Sequence, residues 1–320
     1  MPLPATMSTM SGMPDAGSSL GRVAFQGEHG AFSEAAAVQL LGGAVATVPR
    51  ATFDSAFRAV PEGAADMLLA PIENTLAGSV LRVYDLLLVS ELGIVAETIL
   101  PIEHHVIGCP GATLAGLHSV ASHPMALAQC ERFFLAHPEL KRVPAEDTAG
   151  SVRDALASGD PKRAGIAGRM AAERYGGVIL AESIQDNAEN FTRFVLLVPV
   201  ERGDGGLDVH AATRGRPELM AALRSRQPAS GTPGFKMSVA LRLAHQPGAL
   251  LRALEPFAKS GINLLKIESR PIHGRPWEYQ FFLDVQTETL DPLKEALEAV
   301  RRATSYLKVL GLYPPALGAP

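Results

Sequence analysis

The spacing of apolar and polar residues changes along the chain in a regular way. From residue 21 to residue 200, apolar runs of strand length alternate with stretches in which apolar residues recur at helical spacing. Thr52 and Asp147 each precede such a stretch, where a side chain can cap a helix. The pattern predicts strands at 22–26, 44–48, 66–70, 93–100, 104–108, 118–121, 163–167 and 193–200, and helices at 33–41, 53–60, 79–88, 124–135, 148–157 and 168–175. Strands that alternate with helices indicate an α/β domain with largely parallel sheets.

The last third of the chain has a second pattern. Apolar and polar residues alternate over 236–243, which predicts a half-buried strand, and helical spacing follows Pro247. Further elements are predicted as a strand at 262–270, a strand from Trp277, a helix from Asp291 and a strand at 305–310. The resulting order, βαββαβ, is that of a ferredoxin-like domain.

Composition divides the chain into four parts. Residues 1–20 contain Ser, Pro, Gly and four Met, but no basic start and no apolar core, which predicts a disordered leader, or an over-extended translation start, instead of a signal peptide. The α/β domain is predicted at 21–201 and the ferredoxin-like domain at 235–320. Between them, residues 202–234 are rich in Gly, Pro, Arg and Ser, which predicts a linker with a short helix at 217–225.

Charge and cysteine content exclude several classes of protein. The 29 basic and 33 acidic residues give a net charge of −4 without a basic patch, so we expect no nucleic-acid partner. Two cysteines, Cys109 and Cys130, cannot build a disulfide framework or a four-ligand zinc site, which favours reduced thiols in a cytoplasmic protein. No apolar run is long enough to span a bilayer, so we expect no membrane partner.

Five segments of the α/β domain place polar residues at strand ends or helix starts. They are 25–37 (FQGEHGAFSEAAA), 71–80 (PIENTLAGSV), 121–130 (ASHPMALAQC), 147–152 (DTAGSV) and 190–197 (NFTRFVLL). Each segment alone has a structural explanation as a helix cap, a glycine turn or a β-favouring threonine. Together they supply hydroxyls, amides and helix N-termini, without a metal-ligand cluster or a phosphate-binding loop. Such a set suits a small polyanion whose reaction needs hydrogen bonding and proton donation, with no cofactor and no metal.

In this order the five segments resemble the signature stretches of the prephenate dehydratase family, over roughly 22–200 and 235–311. The C-terminal part is similar to the ACT module, whose two ligand-contact stretches correspond here to GALL (248–251) and ESRP (268–271). The resemblance implies a catalytic domain of two α/β lobes, similar to type II periplasmic binding proteins, with the active site in the cleft. It also implies that prephenate loses its ring hydroxyl and one carboxylate as CO₂, giving phenylpyruvate in phenylalanine biosynthesis. A single-function enzyme is expected, with no chorismate mutase segment before residue 21.

The resemblance further implies roles for residues at matching positions. Thr192 matches the family's essential threonine, and we expect it to donate a hydrogen bond or a proton to the departing hydroxyl. The further catalytic candidates are Asn74, Ser122, Gln129 and Glu73. Helix starts near Gly30, Thr75 and Thr148, with Arg193 as a candidate beside them, are expected to hold the substrate carboxylate. His104 matches a frequent family histidine, to which we assign a structural role.

In the ACT-like module the resemblance implies inhibition by L-phenylalanine. Its pocket is expected across the interface of a homodimer, which can be part of a homotetramer. The predicted phenylalanine-binding residues are Gly248, Ala249, Leu250, Leu251, Asn263, Glu268, Ser269, Arg270 and Pro271. Two features depart from the family pattern: Met125 stands where glutamine is frequent, and the linker at 202–234 is longer than expected.

Two other functions are open on the sequence alone. An arogenate dehydratase would apply the same chemistry to the amino-acid form of the substrate. A non-catalytic amino-acid sensor could share both domain types, because folds of this kind recur in binding proteins. The intact NFTRF segment, together with Asn74 and Ser122, favours an enzyme over a sensor.

Overall fold

The computed structural model describes residues 20–43, 45–200, 202–203, 206–207, 216–225, 234–272, 274–275 and 277–316. Nearly all of the predicted leader and most of the predicted linker lie outside these residues. The strands are β1 (Arg22–Gln26), β2 (Ala46–Arg50), β3 (Met67–Asn74), β4 (Gly78–Ser79), β5 (Leu92–Pro101), β6 (His105–Gly108), β7 (Ser119–Ser122), β8 (Lys141–Pro144), β9 (Arg163–Ala167), β10 (Val178–Ala181), β11 (Phe191–Pro199), β12 (Arg202–Gly203), β13 (Gly206–Leu207), β14 (Phe235–Arg242), β15 (Asn263–Pro271), β16 (Tyr279–Thr287) and β17 (Tyr306–Tyr313). The helices are α1 (Phe32–Leu41), α2 (Phe53–Ala59), α3 (Leu81–Val89), α4 (Pro124–Ala128), α5 (Glu131–Ala136), α6 (Thr148–Ala157), α7 (Arg169–Tyr175), α8 (Pro217–Ser225), α9 (Ala249–Lys259) and α10 (Leu290–Ala303).

The first lobe is a mixed sheet in the order β2-β1-β3-β11-β5. Helix α1 covers one face, where Ala37 and Leu40 pack with Val23 and Leu69. Helices α2 and α3 cover the other face. Because both faces are buried, the central strands are continuous apolar runs, and this is why the sequence identifies them well.

The second lobe is a smaller sheet in the order β10-β6-β9-β7-β8, with α4 to α7 around it. The chain enters this lobe after β5 and returns to the first lobe between β10 and β11. The two crossings leave a cleft between the lobes. The structure thus has the two-lobed α/β plan that the family resemblance implies.

The C-terminal domain has the strand order β15-β16-β14-β17, which confirms the ferredoxin-like prediction. Helices α9 and α10 cover one face of its sheet through Phe257, Leu293 and Val300. The other face packs on the first lobe, where Phe282 and Tyr313 join the same apolar cluster as Leu87 of α3. Strand β17 also pairs in parallel with β5, so the two sheets are continuous.

Several predicted elements differ from the observed ones, mostly at sheet edges. Strands β8 and β10, which the sequence analysis missed, are the two edges of the second-lobe sheet. Edge strands need no continuous apolar pattern, and KRVP at 141–144 has none. Strand β2 extends to Arg50 through Pro49, which an edge position tolerates.

Two predicted helices also change their bounds. The helix predicted at 124–135 is divided into α4 and α5, with a turn at residues 129–130. The helix predicted from residue 79 begins at Leu81, because Gly78 and Ser79 pair with the end of β3. The short helix predicted at 217–225 is present as α8. None of the helices in the described part of the chain is long and apolar enough to cross a membrane.

Candidate active site

A cavity of about 440 Å³ lies between the two lobes. The first lobe lines it from the loop after β1, the start of α1, the end of β3 and the start of β11. The second lobe lines it from the starts of α4 and α6 and from the segment before β6. Its lining residues are Gln26, Gly27, Ala31, Phe32, Ser33, Phe53, Pro71, Asn74, Ala77, Val80, Ile102, His104, His123, Met125, Ala126, Gln129, Glu146, Asp147, Thr148, Thr192 and Phe194.

Asn74 and Thr192 are paired on adjacent strands at the centre of this cleft. They are register partners of β3 and β11, and Asn74 Nδ2 donates a hydrogen bond of 2.9 Å to Thr192 Oγ1. The register shifts just beyond, so that Arg193 faces Glu73 whereas Phe194 faces Pro71. A bulge of this kind re-aims side chains, and such bulges are frequent next to active sites.

Asn74 is fixed by hydrogen bonds at both ends of its amide. Its Oδ1 accepts from the backbone N–H groups of Leu76 (2.9 Å) and Ala77 (2.8 Å). Its Nδ2 donates to Thr192 and to Asn190 Oδ1 (2.8 Å). The amide therefore presents a donor to Thr192. The Thr192 hydroxyl accepts this bond, and its own hydrogen is then available to donate to a molecule in the cleft.

A chain of amides continues from this pair into the second lobe. Asn190 Nδ2 donates to Gln129 Oε1 over 3.1 Å, and the same oxygen lies 3.0 Å from His104 Nε2. An amide oxygen only accepts, so His104 carries its hydrogen on Nε2 in this arrangement. Burial lowers the pKa of His104, which outweighs the opposite effect of the Gln129 hydrogen bond. A neutral histidine therefore orients Gln129.

Two helix starts line the cleft. The start of α1 has no side-chain cap and can hold an anion, whereas at α6 the Asp147 carboxylate already accepts the Gly150 N–H over 2.6 Å. Phe32 and Ser33 form the first turn of α1, and Thr148 begins α6 behind its cap Asp147. The first N–H groups of a helix have no acceptor within the helix, which makes them anion ligands. No lysine or arginine is among the described residues that line the cleft. An anionic substrate would therefore be held by the start of α1 and by amides instead of by ion pairs.

Five of the nine predicted catalytic and substrate-binding residues lie away from the cleft lining and have structural partners: Ser122, Thr75, Gly30, Glu73 and Arg193. Ser122 is fully buried and its Oγ donates to Ile166 O over 2.7 Å, which joins two strands of the second lobe. Thr75 Oγ1 donates to Glu189 O (2.8 Å) in the segment before β11. Thr75 also does not begin a helix, because α3 starts at Leu81.

Gly30 is buried at the contact between the lobes. Its N–H donates to Glu34 Oε2 over 2.5 Å, so this N–H is not directed at the cleft. A Cβ at this position would lie 2.7 Å from Ala171 Cα of the second lobe. The glycine therefore permits close approach of the lobes, whereas its neighbour Ala31 lines the cleft.

Glu73 and Arg193, which were predicted to serve catalysis and substrate binding, lie on the opposite face of the sheet. Arg193 Nη2 donates to Asp284 of the ACT-like domain over 2.6 Å, and Glu73 accepts from Lys266 Nζ over 2.5 Å. Adjacent residues of a strand face opposite sides of a sheet. Because Thr192 faces the cleft, Arg193 cannot, and the structure corrects the expectation for both charged residues.

The predicted phenylalanine-binding residues face two separate cavities within one chain. Ala249 and Leu250 line a cavity of about 170 Å³ beside the start of α9. The ESRP stretch at 268–271 lines a groove of about 1240 Å³ between α3 and β15. Glu268 accepts from Ser79 over 2.8 Å and Arg270 donates to Asp85 over 3.1 Å, so both side chains contact the catalytic domain. Two further predicted residues, Leu251 and Asn263, are exposed.

The structure adds site residues that the sequence analysis did not select. Asn190 connects Asn74 to Gln129, and its place as the first residue of the NFTRF segment was the signal for it. His104 has a positioning contact with Gln129 and also lines the cleft. Glu146 and Asp147 bring carboxylates to the lining. Within the described ranges, no group of three or more His, Cys, Asp or Glu side chains is arranged to hold a metal ion.

Comparison with known proteins identifies the families of both domains. A family model described as prephenate dehydratase matches residues 23–201, and one described as ACT domain matches residues 237–302. Arogenate dehydratase 2 of Petunia hybrida is 38% identical over 330 residues, which cover 98% of this chain and 76% of that protein. Among solved structures, prephenate dehydratase of Arthrobacter aurescens in complex with L-Phe has a TM-score of 0.74 and 30% identity, covering 91% of this chain and 89% of that one.

A second solved structure, described as a quorum-quenching acylase, has a TM-score of 0.77 and 31% identity, covering 92% of this chain and 98% of that one. The family model spans more than half of the chain, and it includes the five segments that build the cleft. The chain therefore belongs to the prephenate dehydratase family of carbon–oxygen lyases, with an ACT domain at its C-terminal end.

Proposed function

We propose that the protein converts prephenate to phenylpyruvate, CO₂ and water. The observation that carries this proposal is the Asn74–Thr192 pair, in which a fixed amide leaves the threonine hydrogen free to donate into the cleft. Loss of hydroxide and CO₂ from the non-aromatic ring produces an aromatic ring, which supplies the driving force. The protein mainly has to stabilise the departing hydroxyl, and a positioned hydrogen-bond donor does so.

The remaining cleft residues suit the rest of the substrate. Phe32, Phe53 and Phe194 provide apolar walls for the ring. The uncapped start of α1 is placed to hold the side-chain carboxylate. The departing carboxylate should lie in a less cationic place, because strong pairing with a cation would oppose its loss. The cleft lining, which has no described lysine or arginine, is compatible with that requirement.

The test is to follow phenylpyruvate formation from prephenate with the purified full chain. We expect turnover without added metal or nucleotide, and no loss on treatment with a chelator. A protein that forms no phenylpyruvate, or that only cleaves an acyl substrate as the acylase relative is described to do, would contradict the proposal.

Arogenate is the second candidate substrate. Glu146 and Asp147 bring carboxylates to the cleft, and a carboxylate there would pair with the ammonium group of arogenate. The similarity to an arogenate dehydratase of Petunia hybrida points in the same direction. Comparing kcat/KM for the two substrates decides between them, because the ratio reports differential stabilisation of the two transition states.

Inhibition by L-phenylalanine is also part of the proposal. The ACT domain and the similarity to a dehydratase structure in complex with L-Phe support it. Strand β15, at the edge of the ACT sheet, exposes the apolar side chains of Leu264, Leu265 and Ile267, and Leu251 of α9 is exposed as well. A second copy of the chain, in a dimer or tetramer, would cover this surface and could bring ESRP to the α9 start of its partner. We propose a cytoplasmic location for the assembly.

A further inference from the structure

Six charged side chains meet between the catalytic domain and the ACT domain, and all but Glu73, which is 36% exposed, are largely buried. We call them the interdomain cluster: Glu73, Glu97, Arg193, Lys236, Lys266 and Asp284. The catalytic domain contributes one cation and two carboxylates, and the ACT domain contributes two cations and one carboxylate. Each side alone therefore has an uncompensated charge, and the assembled cluster is neutral.

Three of the ion pairs in the cluster measure 2.5–3.0 Å, and the contacts of Arg193 with Glu97 and Glu73 are longer, at 3.6 and 3.8 Å. Arg193 Nη2 lies 2.6 Å from Asp284 Oδ2, and their side chains are only 10% and 5% exposed. Lys236 Nζ lies 3.0 Å from Glu97 Oε2, with both side chains similarly buried. Burial alone would lower the pKa of Arg193, but Asp284 and the other nearby carboxylates raise it overall. Arg193 is therefore a fixed cation.

Two members of the cluster are sequence neighbours of the cleft pair. Arg193 follows Thr192 on β11, and Glu73 precedes Asn74 on β3. Thr192 and Asn74 are register partners, and so are Arg193 and Glu73. A strand residue and its neighbour point to opposite faces, so fixing one side chain restricts the direction of the other. The register with β3 shifts directly after Arg193, whereas the register with β5 is regular from Phe191 to Leu196, so the irregularity lies on the side of β11 that carries the Asn74–Thr192 contact.

From this juxtaposition we propose that Arg193 is a positioning residue: held by Asp284 of the ACT domain, it keeps β11 in the position that places Thr192 against Asn74. The proposal rests on the dehydratase function of the cleft. It assigns to the ACT domain a part in basal turnover, in addition to any response to a ligand.

The test compares two substitutions in the ACT domain of the full-length protein. Asp284→Asn keeps the size of the side chain and an acceptor for Ser238 Oγ, which donates to Asp284 Oδ1 over 2.5 Å, but removes the charge that holds Arg193. Lys236→Met is the matched control. It breaks an equally buried ion pair of the cluster, but Arg193 keeps both Asp284 and its 3.6 Å contact with Glu97, the partner that Lys236 loses.

We expect Asp284→Asn to lower kcat by about 2- to 30-fold with little change in KM, which is the usual range for residues that act through a contact network. Lys236→Met should stay within about twofold of wild type. The double variant Asp284→Asn/Arg193→Gln should lose less kcat than the product of the two single-variant losses, since both changes remove the same contact. Equal losses in Asp284→Asn and Lys236→Met would show that the cluster only docks the domains, and would overturn the proposal.

Crystal structures of the same variants give a readout that does not depend on turnover. In Asp284→Asn the 2.9 Å contact between Asn74 Nδ2 and Thr192 Oγ1 should lengthen or break, whereas Lys236→Met should retain it. An unchanged contact in Asp284→Asn overturns the positioning role. If wild type is inactive on both prephenate and arogenate, the proposed function fails, and these distances still decide the inference.

Discussion

Thr192 and Ser122 are both buried hydroxyl residues on strands, but their partners differ. Thr192 accepts a hydrogen bond from Asn74 and faces the cleft, whereas Ser122 donates to a backbone carbonyl inside the second lobe. Both residues belong to motifs of the same family, so the sequence gives no reason to separate them. The direction of a hydroxyl hydrogen depends on its neighbours, and only the folded structure supplies these.

Replacement of Thr192 tests this distinction. Thr192→Ala should lower kcat by roughly 10²–10⁴, or about 3–5 kcal/mol of barrier, because a positioned donor is lost. Thr192→Ser should retain more activity, since the hydroxyl survives. The matched control is Ser122→Ala, which should lower the free energy of unfolding by about 1 kcal/mol and leave kcat nearly unchanged. Near-normal kcat in a well-folded Thr192→Ala protein would contradict the assigned role.

His104 gives a prediction about pH. Burial holds the pKa of His104 below its ordinary value of about 6.5, so the folded state favours the neutral ring. Below that pH the unfolded chain binds a proton that the folded chain resists. The contribution of neutral His104 to the free energy of unfolding is therefore fully present above pH 6.5, and it is lost as the pH falls towards the pKa of His104 in the folded state.

Urea unfolding of wild type and His104→Gln at several pH values measures this contribution. His104→Gln retains an amide donor towards Gln129, so the two proteins differ mainly in the titrating group. The free energy of unfolding of wild type should fall more steeply between pH 7 and pH 5 than that of the variant. Parallel curves would show that His104 does not titrate as assigned.

At the scale of single elements, the loop between β1 and α1 connects the lobes. Tyr175 Oη donates to His29 O over 2.7 Å, and Arg153 pairs with Glu28 over 2.8 Å, both from the second lobe. Gly30 has a φ of +85° and packs directly against Ala171. The sequence identified this loop as glycine-rich and placed it at the site. Its contact with the second lobe depends on residues more than a hundred positions away, which no local pattern reports.

Gly30→Ala should therefore separate the lobes and lower kcat/KM. The new Cβ would lie 2.7 Å from Ala171 Cα, a distance that forces the backbone to move. Gly63→Ala is the control, since Gly63 also has a positive φ (+70°) but no atom within 4 Å of the added Cβ. Both variants carry a backbone strain of about 1–2 kcal/mol, but only Gly30→Ala adds a clash. The measurements are kcat/KM and the radius of gyration from X-ray scattering. Equal values of both for the two variants would contradict the predicted separation of the lobes by the Gly30→Ala side chain.

At the scale of the whole molecule, the ACT domain is integrated with the catalytic domain. Tyr313 and Phe282 share an apolar cluster with Leu87, and β17 pairs with β5. Removal of residues 235–320 would therefore expose core surface and leave the interdomain cluster unbalanced. Sequence patterns suggested two separable domains, because periodicity within a segment does not reveal what covers its second face.

Regulation by phenylalanine is testable without dividing the molecule. Gly248, the N-cap residue of α9, has a φ of +74°, so Gly248→Val should distort the loop at the proposed ligand site. Gly261→Val is a matched control in the same domain, because Gly261 also has a positive φ (+67°) and lies at the other end of α9. Coupling between sites is typically about 1–3 kcal/mol, so phenylalanine should inhibit wild type and Gly261→Val roughly 5- to 150-fold.

Gly248→Val should lose that inhibition while it retains basal turnover. The measurement is a phenylalanine titration at fixed prephenate for the three proteins. Equal inhibition of wild type and Gly248→Val, or simple competition with prephenate, would place phenylalanine in the cleft.

The sequence by itself determined the class of the fold, the βαββαβ order and the family, because buried strands, amphipathic helices and short motifs are local features. It also identified Asn74, Gln129, Thr148 and Thr192, four predicted residues that line the cleft. The tertiary structure decided where the others face. Thr192 and Asn74 line the cleft, whereas their chain neighbours Arg193 and Glu73 contact the ACT domain. Alternation along a strand predicts opposite faces, but only the packing of distant segments determines which face meets substrate and which meets the partner domain.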